Sequence, residues 1–278
     1  MILDKKAEHL LYLTAQIETN LGRGTGFFFD FSKKQDRSLP FLVTNKHVIK
    51  DAAFIRLLLH TEDDYYEVAN IFQNGCGYAH NTAILHPDEE VDLAVIPLIH
   101  VLQEIREKGE ELDCTMLNLA DLPTESFEDS LPPMEDIIMI GYPVGLWDQQ
   151  HNFPIFRRGY TATHPYYDYN GKKEFLIYCA CYQGSSGSPV FSVREVELQR
   201  EDAPYREGHL YTLLGIVFAT VKQEVDAQTN NESGEKIGTT RIQTEVNLGS
   251  VIKAKRLAEM QDWIYETYYN TVPGYLKD

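Results

Sequence analysis

The sequence predicts a mainly β protein, built as a barrel or a sandwich, on three observations. Short runs rich in β-branched and aromatic residues recur along the chain, polar turn-like stretches separate them, and helical spacing is confined to two places. The composition is that of an ordinary globular protein, with 43% hydrophobic and 24% charged residues, and 278 residues suffice for one large domain or two small ones sharing a core.

The first run alternates Leu11, Leu13, Ala15 and Ile17 with Tyr12, Thr14, Gln16 and Glu18, the period of two of a half-buried strand. Further runs span Gly26 to Phe31, Phe41 to Thr44, Phe54 to Leu59, Tyr65 to Phe72 and Leu93 to Leu98, with turn-like Ser32 to Asp36 and Thr61 to Asp64 among them. Leu98, Val101, Leu102 and Ile105 take helical spacing, and Gly109 is a stop. The acidic stretch Asp121 to Asp136 carries Pro123, Pro132 and Pro133 and reads as a connector. Strand signals resume at Ile137 to Ile140, Phe156 to Thr163, Phe175 to Cys181, Pro189 to Ser192, Tyr211 to Thr220 and Thr240 to Val246. The polar stretch Val221 to Thr239 reads as an exposed hairpin or loop. Ser250 can cap a final helix in which Ala254, Leu257, Ala258 and Ile264 share a face. The expected organisation is a first barrel with an N-terminal extension over residues 1–100, a connector over 101–136, a second barrel over 137–249, and a helix and tail over 250–278.

A net charge of −17 points away from nucleic acid, since a polyanion attracts a basic surface. Cys76, Cys114, Cys179 and Cys181 form no C-x-x-C pair and no Cys/His cluster of zinc-ligand spacing, so neither a metal nor another cofactor is expected. Cys179 and Cys181, two apart in an apolar run, read as buried free thiols on one face. The N-terminus lacks the basic start and apolar stretch of a signal peptide, and no apolar run approaches the roughly 20 residues of a membrane span. A soluble, cytoplasmic protein with no membrane partner is expected.

The chemistry concentrates around one serine. Serine attacks a carbonyl only with an adjacent base, usually a histidine held by a carboxylate, and with N–H donors aimed at the developing oxyanion. Gly184-Ser185-Ser186-Gly187-Ser188-Pro189 offers a serine in a glycine-rich turn, although Gly, Ser and Pro also make ordinary turns.

Six segments together resemble the trypsin-like (chymotrypsin-fold) serine protease superfamily, closest in style to bacterial HtrA-like protease domains and without a PDZ domain. Gly184 to Pro189 resembles the G-x-S-G-x-P signature, with Ser186 as nucleophile. Thr44-Asn45-Lys46-His47-Val48-Ile49 looks like the T-x-x-H-V segment of the catalytic histidine. Val91-Asp92-Leu93-Ala94-Val95-Ile96 resembles the segment of the catalytic aspartate. Gly24-Thr25-Gly26-Phe27-Phe28 matches the strand before the histidine, Gly141 to Gly145 the turn that opens the second barrel, and Leu214 to Val217 the strand beside the substrate pocket. His47 and Asp92 are 45 residues apart and Asp92 and Ser186 are 94 apart, in the order His, Asp, Ser.

The resemblance implies an all-β fold of two six-stranded antiparallel barrels with a C-terminal helix, His47 and Asp92 on the first barrel and Ser186 on the second. It implies an oxyanion hole from the N–H groups of Gly184 and Ser186, and a primary pocket with Ala180 at its base and Val217, Ala219 and Thr220 along its wall. No carboxylate stands there, so a small-to-medium apolar P1 residue is expected, unless Glu224 or Asp226 reaches in. The competitors Asp88, Glu89, Glu90, His86, Ser185 and Ser188 lack the matching context. Proteases activated by propeptide cleavage carry an acid just before the nucleophile; here that position is Ser185, so that route of activation is not expected.

The implied activity is a serine endopeptidase acting on protein or peptide substrates, restrained by narrow specificity, a latent site or an activating protein partner. The alternative is a latent or pseudoprotease module that binds a partner. An α/β-hydrolase is disfavoured, because its G-x-S-x-G elbow is not matched and only His209 follows Ser186.

Overall fold

A computed structural model of the chain describes residues 2–4, 8–33, 38–61, 65–69, 83–200, 203–230, 233 and 236–266. Cys76, the end of the Tyr65 to Phe72 run and the tail beyond 266 lie outside the described residues. Two antiparallel sheets make up the fold. The chain opens with β1 (Ile2–Asp4), which joins the second sheet by pairing with its longest strand.

The first sheet holds β2 (Thr14–Thr19), β3 (Gly22–Asp30), β4 (Pro40–Thr44), β5 (Ile55–His60), β6 (Tyr65–Ala69), β7 (Ile84–Leu85) and β8 (Ala94–Pro97), in the order β6-β5-β2-β3-β4-β8-β7. An eighth strand, β9 (Leu117–Asn118), pairs parallel with β3. The second sheet holds β10 (Asp136–Gly141), β11 (Ile155–Thr161), β12 (Glu174–Tyr178), β13 (Pro189–Arg200), β14 (Ala203–Asn230) and β15 (Lys236–Lys253). Its order is β1-β14-β13-β10-β11-β12-β15, and β14 also pairs with β15, so those six strands return on themselves. The resemblance implies six strands to each barrel; β1 and the short strands β7 and β9 are the additions. Among the described residues there are four α-helices: α1 (Lys46–Ile49), α2 (Ile99–Glu107), α3 (Glu125–Asp129) and α4 (Arg256–Ile264).

The apolar pattern explains where the core sits. A strand covered on both faces reads as a continuous apolar run. Phe27, Phe28 and Phe29 of β3 are such a run: Phe27 and Phe29 turn into a core shared by both sheets, and Phe28 turns into the interior of the first. Phe41 and Val43 of β4 repeat the division against Leu42. Ile140, Phe191, Leu213 and Ile216 of the second sheet complete the shared core, and Leu257, Met260 and Ile264 of α4 close it. The two sheets therefore meet along a packed seam.

Two local readings differ from the structure, and a third is met. The strand expected from Leu11 begins at Thr14, because Leu10 and Leu13 are both fully buried and their spacing of three suits the single turn Glu8–Tyr12. The helix expected from Ser250 begins at Arg256, because Ser250 is paired with Leu176 on one side and Ala219 on the other. The polar stretch after Thr220 is the hairpin of the two expected forms, a long two-stranded arm laddered from Lys222↔Glu245 to Asn230↔Lys236.

Candidate active site

His47 owes its position to strand register. β4 runs antiparallel to β8 with Thr44 opposite Ala94, so the residues just after one strand lie beside those just before the other. Asn45 is buried and donates its Nδ2 to the Asp92 carbonyl at 2.7 Å, which ties the two segments together. The chain then takes one helical turn, closed by Lys50 N–H to Lys46 O at 2.7 Å, and presents His47 toward solvent. Asp92 receives two donors from that residue: the backbone N–H at Oδ1, 3.0 Å, and ring Nδ1 at Oδ2, 2.5 Å. With Nδ1–H held by a carboxylate, Nε2 is the acceptor of the neutral imidazole. It lies 3.0 Å from Ser186 Oγ.

The loop that carries Ser186 depends on two glycines. Gly184 and Gly187 have φ of +88° and +87°, the left-handed region that other residues seldom adopt. A Cβ on Gly187 would stand 1.9 Å from the Thr25 carbonyl oxygen, so the loop approaches β3 more closely than any side chain permits. In exchange, Thr25 N–H donates to Ser186 O at 2.9 Å and Thr25 Oγ1 to Gly184 O at 3.0 Å. From the second sheet, Gly187 N–H donates to Val217 O at 2.8 Å and Val217 N–H to Ser188 O at 3.0 Å.

Two peptide units of this loop have their carbonyls engaged. Gln183 O accepts from Val144 N–H at 2.6 Å, and Ser185 O from Ser188 N–H at 3.0 Å. A trans peptide points its N–H opposite to its C=O. The N–H groups of Gly184 and Ser186 are thereby turned the other way, and among the described residues no acceptor takes either one. Gly184 also lines a cavity of about 220 Å³ with Gly22, Arg23, Val144, Gly145 and Gln183. The arrangement can transfer a proton from Ser186 to His47 and offer two donors to an anion beside Ser186.

The residues implied for the pocket divide. Ala180 is half-buried, and its carbonyl accepts from Arg157 Nη1 at 3.0 Å. Ala219 and Thr220 are half-buried on β14. Val217 is a correction to the wall implied for it: its side chain is 1% exposed in the second sheet's core, and its contribution is the two backbone bonds to the nucleophile loop. Glu224 and Asp226 stand on the arm as ion-pair partners of Arg241, at 3.7 and 3.5 Å.

The competing residues are occupied elsewhere. Ser185 and Ser188 are fully buried, with Ser185 Oγ accepting from Arg157 and Ser188 Oγ donating to Thr25 Oγ1. His86 is buried beside Glu259, and Asp88 pairs with Arg256 at 2.6 Å. Cys114, Cys179 and Cys181 are free, and burial pushes the Cys114 and Cys181 thiols up to about 12. Among the described residues no group of three His, Cys, Asp or Glu could hold a metal ion, and no helix is long and apolar enough to cross a membrane.

Two residues at this site escape sequence reading as functional groups. Thr25 had a signal, since it stands between Gly24 and Gly26, where a Cβ would meet Val48 and Leu42 at 2.6 Å. Arg157 had none; its contact with Ser185 exists only once β11 is placed behind the loop.

The family model for the trypsin-like peptidase domain matches residues 24–198. No curated protein sequence matches the chain. Among solved structures, similarity extends to an inactive form of Rv3671c from M. tuberculosis H37Rv, with 14% identity, 96% of each chain covered and a TM-score of 0.43. The apo MamO protease domain of Magnetospirillum magneticum is 11% identical over 91% of this chain and 97% of that one, with a TM-score of 0.43. The scabies mite inactivated protease paralogue S-I1 is 14% identical over 95% of this chain and 99% of that one, with a TM-score of 0.44.

Proposed function

Because the chain belongs to the trypsin-like peptidase family, we propose that it is a serine endopeptidase in which His47, Asp92 and Ser186 form the catalytic triad. The observation that carries this reading is the continuous path from Asp92 through both ring nitrogens of His47 to Ser186 Oγ. His47 Nε2 takes the hydroxyl proton as Ser186 Oγ attacks a peptide carbonyl. The N–H groups of Gly184 and Ser186 hold the oxyanion, and His47 then gives the proton to the leaving amine. Water, deprotonated by the same nitrogen, releases the acyl group. Asp92 keeps Nδ1 protonated throughout and stabilises the imidazolium.

The substrates are proteins or peptides with a small-to-medium apolar P1 residue, received over Ala180, Ala219 and Thr220. Among the described residues no acceptor takes the N–H of Gly184 or Ser186, which supports an oxyanion hole that needs no partner to assemble it. A purified chain with measurable resting turnover is expected.

Labelling with a fluorophosphonate, mapped by mass spectrometry, tests the reading. Modification confined to Ser186 and lost in Ser186→Ala and His47→Ala supports it. Absence of labelling in the wild type would favour a module that binds without hydrolysis, and labelling at another serine would refute the assignment.

A further inference from the structure

Behind the nucleophile loop stands a cation that the proposed chemistry has not used. Arg157, on β11, is 9% exposed, and among the described residues no carboxylate pairs with it. Its Nη1 donates to Ser185 Oγ at 2.6 Å and to the Ala180 carbonyl at 3.0 Å, while Nε and Nη2 are buried with no partner. Burial lowers its pKa, and the titratable groups that act against this are Cys181, Cys179 and Tyr182. Those thiols do not neutralise it, because burial raises both, Cys181 to about 12. An arginine keeps its charge at neutral pH even so.

A buried, uncompensated charge with unsatisfied donors is costly, and a plain apolar residue would fill the same space more cheaply. Its geometry gives the cost a purpose. Ser185 lies between Gly184 and Ser186, the two residues whose N–H groups no acceptor takes among the described residues. Ser185 Oγ also accepts from Tyr182 N–H at 3.1 Å, so the guanidinium grips both the approach to the loop, at Ala180, and its centre, at Ser185. Thr25 secures the same segment from the opposite side by donating its backbone N–H to Ser186 O and its hydroxyl to Gly184 O. The loop is clamped between β3 and a guanidinium.

We propose that Arg157 is a positioning residue that holds the 180–186 segment with its N–H donors outward and places a buried positive charge behind the oxyanion. This proposal rests on the serine peptidase reading for its catalytic consequence. Its geometric half stands independently. Hydrogen-bond donors fixed in advance, backed by charge in a water-excluded site, stabilise a developing oxyanion without reorganising.

The test uses the full chain carrying Arg157→Met, Arg157→Lys or Ser185→Ala. A crystal structure of Arg157→Met examines the geometry without reference to turnover. Gly184 is expected to leave its positive φ and its carbonyl to leave the Thr25 hydroxyl; retention of both overturns the proposal, whatever the wild type hydrolyses. In the kinetic arm, kcat on a peptide ester is expected to fall about 100-fold in Arg157→Met, the size of losing one oxyanion donor. KM is expected to move by less than about twofold, because the interaction is made to the transition state. Arg157→Lys should recover much of the loss, which a merely loosened core would not do. Wild-type kcat in folded Arg157→Met overturns the proposal and leaves the peptidase reading intact. A wild type unlabelled by fluorophosphonate defeats the peptidase reading, and the crystal structure still decides the geometric claim. Should Arg157→Met fail to fold, Ser185→Ala removes only the gripped hydroxyl and carries the same expectations.

Discussion

Thr25 donates its backbone N–H to the carbonyl of Ser186 at 2.9 Å, joining a strand of the first sheet to the residue of the second that attacks in the proposed mechanism. Its hydroxyl donates to Gly184 O at 3.0 Å and accepts from Tyr142 N–H at 3.1 Å, while Thr44 Oγ1 bonds its carbonyl at 2.8 Å. One side chain therefore fastens the nucleophile loop and the turn that enters β11 across the seam between the sheets.

Replacing Thr25 by Val keeps the branched shape and deletes the hydroxyl. Gly184 O and Tyr142 N–H then lose a buried partner, which costs about 1–3 kcal/mol for each orphaned group. Urea unfolding should show the lower stability, and fluorophosphonate labelling of the folded variant should slow as Gly184 loses its anchor. Unchanged labelling would mean that Thr25 serves the fold alone.

Asp92→Asn tests the proton path. Asp92 accepts from both the ring and the backbone of His47, and an amide can present its NH₂ to Nδ1 instead. That favours the tautomer with hydrogen on Nε2, which can no longer take the serine proton. A fall of about 10⁴ in kcat with little change in KM is expected, as in the general Ser-His-Asp template. Steady-state kinetics on a peptide ester would detect it, and turnover near wild type would require another base.

Stability should decline in mild acid through one buried and one half-buried histidine, His86 and His60. Burial lowers the pKa of His86, with Arg256 adding to the effect and Glu259 opposing it; His86 Nδ1 accepts from Asp88 N–H. Burial also lowers His60, against its bond to the Asn152 carbonyl. Each folded pKa lies below the ordinary 6.5, so the unfolded chain binds protons first. Their contribution is complete above that value and is lost as pH falls from it toward the folded pKa. The thermal midpoint should drop between pH 7 and 5, and less steeply in His86→Gln; an equal slope in that variant would exclude His86 as a cause.

Much of the architecture was legible because local patterns and the tertiary fold agree. The run Phe27 to Phe29 reads as strand, and its burial on both faces explains why polar alternation is missing there. The helix around Val101 and Ile105 was legible for the same reason, and Gly109 beyond it has φ of +81°. Leu11 and Leu13 were misread as strand because a period of two and a spacing of three coincide over so few residues. Ser250 was misread because a helix cap and a doubly paired strand residue look alike in sequence.

The sequence by itself determined the family, the strand-rich class, and a serine between glycines whose backbone only glycine adopts readily. Those are local properties, written in residue type and short spacing. Tertiary structure decided the rest. Antiparallel register of β4 on β8 brings His47 to Asp92 across 45 residues, and the seam brings Ser186 within 3.0 Å of His47 across 139. It also set Arg157 behind Ser185 and drew Val217 into the core, because which buried neighbour a side chain meets depends on how distant strands pack.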